Sequence, residues 1–394
     1  MTTQHLSRRE FLGTSTVGGA AAVLGLSSVT ALGKDDEVVL GAIGTGGRGR
    51  YLLERAVKLP GIRFGAICDL KQTALDAAMK VLEEQEVKPK TYTDFRQMIE
   101  KEKLHGIIIA TEVGNHAKVA VPCLEAGINI LCEKPLDASV DRVDAFVKAA
   151  RASKGITMIG FQRRYKPGYV EAIEKIHNGV VGKINYLQGH WKWQRFPGGG
   201  WVSDINMSGG ELVEQAGHHM DVMSWIMKGA HPERCVGMGG ILRPNPSGSL
   251  TEDHSFTVFE FPGGIHFQYS HLFGAGTKRF CGEMLRVHGD KAGAEIYRLD
   301  YGRVGSWKLY DDEGREFPLT DKTCEHVEGT TNQIAAFAAH CRKGTKELPA
   351  SNIETGRVAT LMCLMGRMAM CKPGSDKFEE RVIEWKDLGT TTDA

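Results

Sequence analysis

The residues that could do chemistry lie in the segment Gly209–Trp225, whose apolar spacing predicts a helix. Glu214, His218 and Asp221 stand at positions i, i+4 and i+7, so a helix places them on one face, while His219 points to a flank. Histidine titrates near neutral pH, so His218 is suited to accept a substrate proton, and Glu214 could orient His218 or a substrate hydroxyl. Two other interpretations remain open: a histidine of the core, and a metal site made by the three side chains.

A second group of residues predicts a dinucleotide site. The apolar run 37–43 is typical of a buried parallel strand, and helical periodicity follows over 50–59. Between them, the spacing G-x-G-x-x-G provides a tight turn, a close backbone approach to a pyrophosphate and close helix–strand packing. The phosphates would face the positive end of the helix dipole. The candidate cofactor residues of this loop are Gly44, Thr45, Gly46, Gly47, Arg48 and Gly49.

A carboxylate follows the second predicted strand. The apolar run 62–68 ends in Asp69, twenty residues after Gly49. A carboxylate at this place accepts hydrogen bonds from ribose hydroxyls and repels a 2′-phosphate, so it favours NAD. The nearby Lys71 keeps NADP open, and Asp69 could instead cap a helix that begins at Gln72.

Further polar residues follow later strands. A third strand is expected around Thr91, and apolar runs at 106–110 and 129–132 predict the fourth and fifth. Ligands of parallel sheets bind beyond the carboxyl ends of the strands. The candidate cofactor residues at these ends are Thr111, Asn115, His116, Glu133 and Lys134.

The composition is that of a globular protein of about two domains. The chain has 394 residues, 42% of them hydrophobic, with 49 Lys and Arg against 48 Asp and Glu. A net charge of +1 argues against a general nucleic-acid binder, which needs a basic excess. The nine cysteines are widely spaced and form no C-x-x-C, so neither a disulfide framework nor a zinc ribbon is indicated, and we expect most of them to be buried.

The first 33 residues resemble an export signal. Arg8 and Arg9 precede an uncharged stretch, 11–33, that is too rich in Gly, Ser and Thr for a stable membrane span. Small residues suit cleavage near Ala31 or Gly33. The segment therefore predicts export by the twin-arginine route to the periplasm. The alternative is an ordinary N-terminus that contains an Arg-Arg pair.

The hydrophobic pattern changes after Gly160, and we expect a second domain, 156–394, to follow a dinucleotide-binding domain, 36–155. Strands joined by short Gly/Pro turns predict antiparallel neighbours. Predicted strands are 182–190, 255–261, 264–271 and 285–288, and predicted helices are 167–178, 332–341 and 353–370. An aromatic, glycine-rich loop from Trp191 to Trp201 suits either a sugar or core and interface packing.

Taken together, these motifs resemble the glucose–fructose oxidoreductase/inositol dehydrogenase (Gfo/Idh/MocA) family over about residues 38–350. The matching pieces are Gly44–Gly49, Thr111–His116, Cys132–Pro135, Gly160–Tyr165 and Gly209–Trp225. The resemblance implies an α/β fold, a Rossmann domain followed by an α/β domain with an open, mostly antiparallel sheet. That sheet commonly forms the subunit interface in the family, so a homo-oligomer, a dimer or a tetramer, is expected.

The resemblance also implies roles for individual residues. His218 matches the family's catalytic histidine, and Asp221 matches a second carboxylate that we expect to be structural. Glu214 stands where the family usually has Asp, which leaves the substrate open. Lys134 would place a cation near the developing alkoxide. The expected catalytic residues are thus Lys134, His218 and Glu214, and the expected substrate-binding residues are Arg163, Arg164, Tyr165, Trp201, Glu214 and His218.

These residues predict an NAD(P)-dependent oxidoreductase that acts on a secondary hydroxyl of a sugar or polyol. An exported enzyme has little access to a soluble cofactor pool, so we expect NAD to be bound tightly and recycled within the site. One alternative is a glycoside hydrolase or lyase that works through transient sugar oxidation. Another is a sugar-binding sensor without enzymatic activity.

Overall fold

The computed structural model describes residues 37–194, 199–241, 251–274, 281–299, 303–319, 326–344, 347–371 and 382–392. The expected signal segment 1–33 and residues 195–198 of the aromatic loop lie outside these ranges. Within the described ranges, no helix combines the length and the apolar character needed to span a membrane.

A parallel sheet forms the first domain. Its strands are β1 Val38–Ile43, β2 Ile62–Cys68, β3 Lys90–Tyr92, β4 Gly106–Ile109, β5 Asn129–Cys132 and β6 Thr157–Ile159, in the order β3-β2-β1-β4-β5-β6. Every neighbouring pair is parallel, which confirms the predicted Rossmann arrangement. The central strands are buried on both faces, and this is why they read as uninterrupted apolar runs.

Helices connect these strands and cover the sheet. They are α1 Gly47–Ala56, α2 Gln72–Glu83, α3 Phe95–Lys101, α4 His116–Glu125 and α5 Val140–Ala152. The first helix begins three residues before the predicted start at residue 50, because its first turn uses the glycines of the loop after β1. This brings the first backbone N–H groups of α1 to the carboxyl end of the sheet.

The second domain contains a nine-stranded sheet. Its strands are β7 Ile184–Lys192, β8 Arg234–Gly240, β9 His254–Phe261, β10 Ile265–Leu272, β11 Gly282–Gly289, β12 Ala292–Leu299, β13 Arg303–Asp311, β14 Glu316–Phe317 and β15 Ile383–Glu384. The order is β14-β13-β12-β11-β7-β10-β9-β8-β15, and only the β7–β10 pair is parallel. The mostly antiparallel sheet expected for this domain is confirmed.

One face of this sheet is covered and part of the other is open. The helices of this half are α6 Pro167–His177, α7 Ile205–Ser208, α8 Glu211–Ile226, α9 His326–Lys343 and α10 Ile353–Cys371. Helix α10 packs against α8 and against β8 and β9, where it meets Gly237 and Phe259. The alternate residues of those strands face away, and Met238 and Phe256 remain 66% and 55% exposed.

The expected domain boundary after residue 155 differs from the arrangement in space. Strand β6, at Thr157–Ile159, completes the parallel sheet and therefore belongs to the first domain. Helix α9 also packs on that domain, since a Cβ on Gly106 of β4 would lie 2.8 Å from the ring of Phe337. Near the end of the chain, Thr390 and Thr392 donate hydrogen bonds to Asp144 of α5. The chain thus returns to the first domain because that domain's apolar surface is incomplete without α9.

Seven of the cysteines are buried, as expected for most of them from their spacing. These are Cys68, Cys123, Cys132, Cys235, Cys281, Cys341 and Cys363. Burial raises the pKa of the Cys123 thiol to about 12, so this group packs as a small apolar side chain.

Candidate active site

A cleft of about 280 Å³ opens where the carboxyl end of the parallel sheet meets helix α8. It is lined from both domains, so neither domain alone forms it. The lining residues are Arg48, Ala110, Thr111, Val113, His116, Glu133, Lys134, Gln162, Trp201, Glu214 and His218.

The glycines of the loop after β1 have distinct structural roles. Gly44 has φ of +84°, and a Cβ there would lie 2.7 Å from the carbonyl carbon of Ala110. A Cβ on Gly49 would lie only 1.9 Å from the carbonyl oxygen of Gly44. Gly46 and Gly47, in contrast, have no atom within 4 Å of a Cβ position, so the loop is open on the side where α1 begins. An open backbone surface at a helix N-terminus fits a pyrophosphate.

Asp69 is fixed by the same loop. One of its oxygens accepts hydrogen bonds from the backbone N–H of Thr45 at 2.7 Å and from the Thr45 hydroxyl at 3.3 Å. The other accepts from the backbone N–H of Lys71 at 2.9 Å. No side chain caps helix α2, so Asp69 does not have the capping role considered above. A carboxylate has about four acceptor positions, which leaves capacity for a ribose hydroxyl.

Glu133 connects the end of β5 to the glycine-rich loop. Its Oε1 lies 2.6 Å from Nε of Arg48, and its Oε2 accepts from the backbone N–H of Lys134 at 3.3 Å. Gly160 leaves room for this carboxylate, because a Cβ there would lie 2.6 Å from Oε2. Glu133 is therefore held at the groove by three neighbours.

The residues predicted after β4 take different positions. Thr111 and His116 line the cleft, but Asn115 lies outside its lining and donates to Glu112 at 3.2 Å. His116 is 1% exposed, with Nδ1 2.7 Å from the Pro135 carbonyl oxygen and Nε2 3.1 Å from that of Thr111. Burial lowers the pKa of His116, so this side chain joins the turns after β4 and β5 rather than titrating in the cleft.

Lys134, Glu214 and His218 lie together in the cleft. The Lys134 ammonium donates to the backbone carbonyl of Glu214 and lies 3.6 Å from its Oε1. The Lys134 stem passes Gly217, where a Cβ would lie 3.8 Å from its Cδ. The ring of His218 is 8% exposed and lies between Phe161 and Trp191, with ring centroids 6.2 and 6.5 Å away. A cation and an imidazole thus border one space, and aromatic rings pack against the imidazole.

A buried acid stands at the start of α8. Glu211 is 2% exposed and accepts a hydrogen bond from the Thr251 hydroxyl at 3.4 Å. Burial, followed by the charges of Glu214 and Glu252, raises the pKa of Glu211 to about 9. At neutral pH its carboxyl is therefore protonated.

Three expected substrate-binding residues lie elsewhere, which corrects that expectation. Arg163 pairs with Glu283 of β11 at 2.5 Å, and Arg164 pairs with Asp221 of α8 at 2.8 Å. The hydroxyl of Tyr165 accepts from the backbone N–H of Ser351 at 3.3 Å. All three belong to the 3₁₀ turn Gln162–Tyr165, whose tight period points successive side chains in different directions, and only Gln162 reaches the cleft lining.

The contact between Arg164 and Asp221 argues against a metal site made by Glu214, His218 and Asp221. Asp221 is 1% exposed and engaged by Arg164, so it does not join Glu214 and His218 in the cleft. Across the described ranges, no group of three or more His, Cys, Asp and Glu side chains is arranged to hold a metal ion. His219 faces away from the cleft, as expected, with Nε2 3.3 Å from Glu283.

Ala110, Val113 and Gln162 line the cleft but were not predicted. Gln162 lies shortly after the end of β6. Its position beyond the carboxyl end of a parallel strand is the signal that could have identified it. Val113 and Ala110 contribute apolar surface, for which the sequence gives no distinguishing signal.

Known proteins share this architecture. The family model "Oxidoreductase family, NAD-binding Rossmann fold" matches residues 38–161, and the GFO/IDH/MocA C-terminal domain model matches residues 169–295. The myo-inositol 2-dehydrogenase of Thermotoga maritima is 24% identical over 349 residues, which cover 86% of this chain and 98% of that protein. The scyllo-inositol 2-dehydrogenase (NAD(+)) of Bacillus subtilis is 28% identical over 233 residues, 58% of this chain and 66% of that protein.

A solved structure shows the same fold. Levoglucosan dehydrogenase in complex with NADH and L-sorbose matches with a TM-score of 0.73 at 18% identity, covering 90% of this chain and 100% of that chain. The two family models match the parallel-sheet domain and the antiparallel-sheet domain in chain order. On these grounds, the chain belongs to the Gfo/Idh/MocA family of NAD-binding oxidoreductases.

Proposed function

We propose that this protein is an NAD-dependent oxidoreductase that oxidises a secondary hydroxyl of a sugar or polyol. The observation that carries the proposal is the placement of Lys134, Glu214 and His218 in the same cleft as the glycine-rich loop. The dehydrogenases of inositols among its relatives support the substrate class.

The side chains divide the chemistry between them. His218 takes the proton of the substrate hydroxyl, since a neutral imidazole accepts a proton near neutral pH. The Lys134 ammonium stabilises the developing alkoxide, and Glu214 orients that ammonium from 3.6 Å. Bound NAD supplies the acceptor for the hydride that leaves the same carbon. The aromatic rings of Phe161 and Trp191 beside His218 lower the local dielectric constant, which strengthens these charge interactions.

We further propose that the dinucleotide remains bound and is recycled. The support is the twin-arginine pattern at Arg8 and Arg9, because an exported protein meets little free NAD. Recycling requires a second sugar to take back the hydride, or an elimination that follows transient oxidation at a neighbouring carbon. The first reaction is an oxidoreduction, and the second is cleavage of a glycoside.

One experiment separates these reactions. The purified protein is incubated, without added cofactor, with inositols, aldoses and p-nitrophenyl glycosides, while absorbance at 340 nm and nitrophenol release are followed together. Oxidoreduction predicts a bound-NADH signal with an inositol or aldose and its loss when a ketose is added. Release of nitrophenol without net NADH would contradict oxidoreduction, and absence of any bound dinucleotide would contradict recycling.

The open face of the nine-stranded sheet supports a homo-oligomer. Met238 and Phe256 are exposed there, and they line an open cavity with a volume of about 840 Å³ between residues of β8, β9 and β10. Apolar side chains of this size on an open sheet face are typical of subunit contacts. Light scattering on the wild type should give a dimer or tetramer mass, and Phe256→Lys should shift it toward the monomer. A monomeric wild type would contradict the proposal.

Export is tested in the cell. Replacing Arg8 and Arg9 by Lys removes the paired arginines that the twin-arginine route requires. The wild type is then expected in the periplasmic fraction and the double variant in the cytoplasm. Equal distribution of the two proteins would contradict the proposed signal.

A further inference from the structure

The Arg48–Glu133 ion pair spans the groove that the dinucleotide would occupy. Ile43 of β1 is in register with Ile109 of β4, which is in register with Cys132 of β5. Neighbouring strands lie about 4.8 Å apart, so the ends of β1 and β5 are separated by roughly 10 Å. Arg48 extends from one side and Glu133 from the other, and they meet at 2.6 Å.

The two partners differ in how firmly they are held. The Glu133 side chain is 10% exposed and is fixed by the Lys134 N–H and by its packing on Gly160. The Arg48 side chain is 36% exposed and extends from the first turn of α1. Its guanidinium carbon lies 5.0 Å from the ring centroid of Tyr51, a ring that the Arg55 guanidinium already covers at 3.3 Å, so this contact adds little to the hold on Arg48. Arg48 is therefore the partner able to move.

The rest of the groove cannot open in the same way. Its floor is the backbone of the glycine-rich loop and the segment after β4, and His116 is buried with each ring nitrogen within 3.1 Å of a carbonyl oxygen, one of which accepts its N–H. Lys134 is tied to α8 through Glu214. A ligand that extends from the start of α1 to Lys134 must pass the Arg48–Glu133 contact.

We propose that the Arg48–Glu133 pair is a closure across the cofactor groove, and that its opening controls how fast the dinucleotide binds and departs. This inference rests on the proposed retention of NAD and gives that retention a kinetic basis. Since the closed pair hinders passage in both directions, it slows association and dissociation together and changes the equilibrium affinity little. Arg48 then acts as a positioning residue and not in hydride transfer.

The test measures the rates of NADH exchange. Bound NADH is displaced by excess NAD in a stopped-flow fluorimeter for the wild type and Arg48→Met, and association is measured by mixing with NADH. We expect both rate constants to rise about tenfold in Arg48→Met, with the Kd changed less than about threefold, for loss of one charge-assisted contact. The matched control is Arg50→Met, which removes the same charge from the same helix and should exchange at the wild-type rate.

The outcomes separate the closure from other roles of Arg48. A rise in dissociation without a rise in association would make Arg48 an ordinary ligand of the phosphates and would overturn the proposal. Unchanged rates in Arg48→Met would overturn it as well. Arg48→Lys keeps the charge with a single donor group and should give intermediate rates, so it tests the closure even if the Met variant folds poorly. Failure of the wild type to bind NADH would instead contradict the proposed function itself.

Discussion

The two walls of the cleft are built in different ways. The wall that faces the cofactor is mainly backbone, a loop of consecutive residues between Gly44 and Gly49, with Asp69 fixed against it. The opposite wall consists of side chains from separate elements, with His218 on α8 and Lys134 beyond β5. The shape of the first wall requires glycines, which have no side chain. The properties of the second wall come from polar and charged side chains. Substitutions should therefore affect binding on one wall and turnover on the other.

The largest effect should follow changes in the charged wall. Lys134→Met and His218→Ala each remove a group to which we assign a role on the substrate alkoxide or proton, so turnover should fall about 10²–10⁴-fold. NADH affinity, measured by fluorescence titration, should stay within about threefold of the wild type. Lys118→Met removes an exposed lysine from α4 and should leave both quantities unchanged. Wild-type turnover in either variant would contradict the assignment of turnover to this wall.

On the backbone wall, Gly49→Ala should remove NADH binding. Its new Cβ would lie 1.9 Å from the Gly44 carbonyl oxygen, so the loop must shift. We expect a loss of about 1–3 kcal/mol of stability, read as a lower Tm, together with loss of the NADH fluorescence signal. Gly47→Ala is the matched control, because its Cβ has no atom within 4 Å and its Tm should be that of the wild type. Wild-type NADH binding by Gly49→Ala would show that the loop tolerates a side chain.

A smaller effect is expected from Asp69→Asn, which keeps the side-chain shape and removes the charge. NAD affinity should fall roughly tenfold, since hydrogen bonds to a charged group are worth about 1.5–3 kcal/mol. The preference should move toward NADP, because the repulsion of a 2′-phosphate is lost. Titrations with both cofactors, beside the exposed Asp76→Asn, measure this change. An unchanged ratio of the two affinities would exclude Asp69 as the discriminating residue.

The smallest effect concerns Glu211, the first residue of the helix that carries Glu214 and His218. Its pKa is raised to about 9, by burial first and then by Glu214 and Glu252, so the folded protein holds a proton that the unfolded chain releases. The contribution of Glu211 to the free energy of unfolding is fully present below about pH 4.3, and it is lost as the pH rises toward 9. Glu211→Gln cannot titrate, so its Tm relative to the wild type should rise by roughly 2–4 °C between pH 5 and pH 9.

Thermal melts at several pH values test this, with the exposed Glu84→Gln as the control. Parallel curves for Glu211→Gln and the wild type would contradict the raised pKa. They would also show that Glu211 is not an uncharged group on the helix that carries Glu214 and His218.

Sequence patterns predict the backbone wall well because its information is local. Strands β2 and β5 have the predicted bounds, and β1 is confirmed to within one residue. Apart from the exposed Arg63 of β2, these strands are mostly buried, so each reads as an apolar run. Strands β8, β12 and β13 were not predicted, since glycine and charged residues interrupt them and neighbouring strands supply their stability.

The charged wall is harder to predict because its partners are distant in the chain. Arg163 and Arg164 follow a strand end, as ligand-binding residues do, but Glu283 and Asp221 neutralise them inside the second domain. No local pattern distinguishes an arginine that pairs internally from one that meets a substrate. Gln162, the neighbour that lines the cleft, has no charge to draw attention to it.

The return of helix α9 to the first domain sets an order of events during synthesis. The ribosome releases residues 37–159, with every strand of the parallel sheet, long before it releases Ile334 and Phe337. Until then the surface around Gly106 lacks its apolar cover, and a nascent dinucleotide domain exposes that surface to chaperones and proteases. The apolar packing of the dinucleotide-binding domain is therefore complete only after residue 337 has been synthesised, when most of the second domain has already been translated.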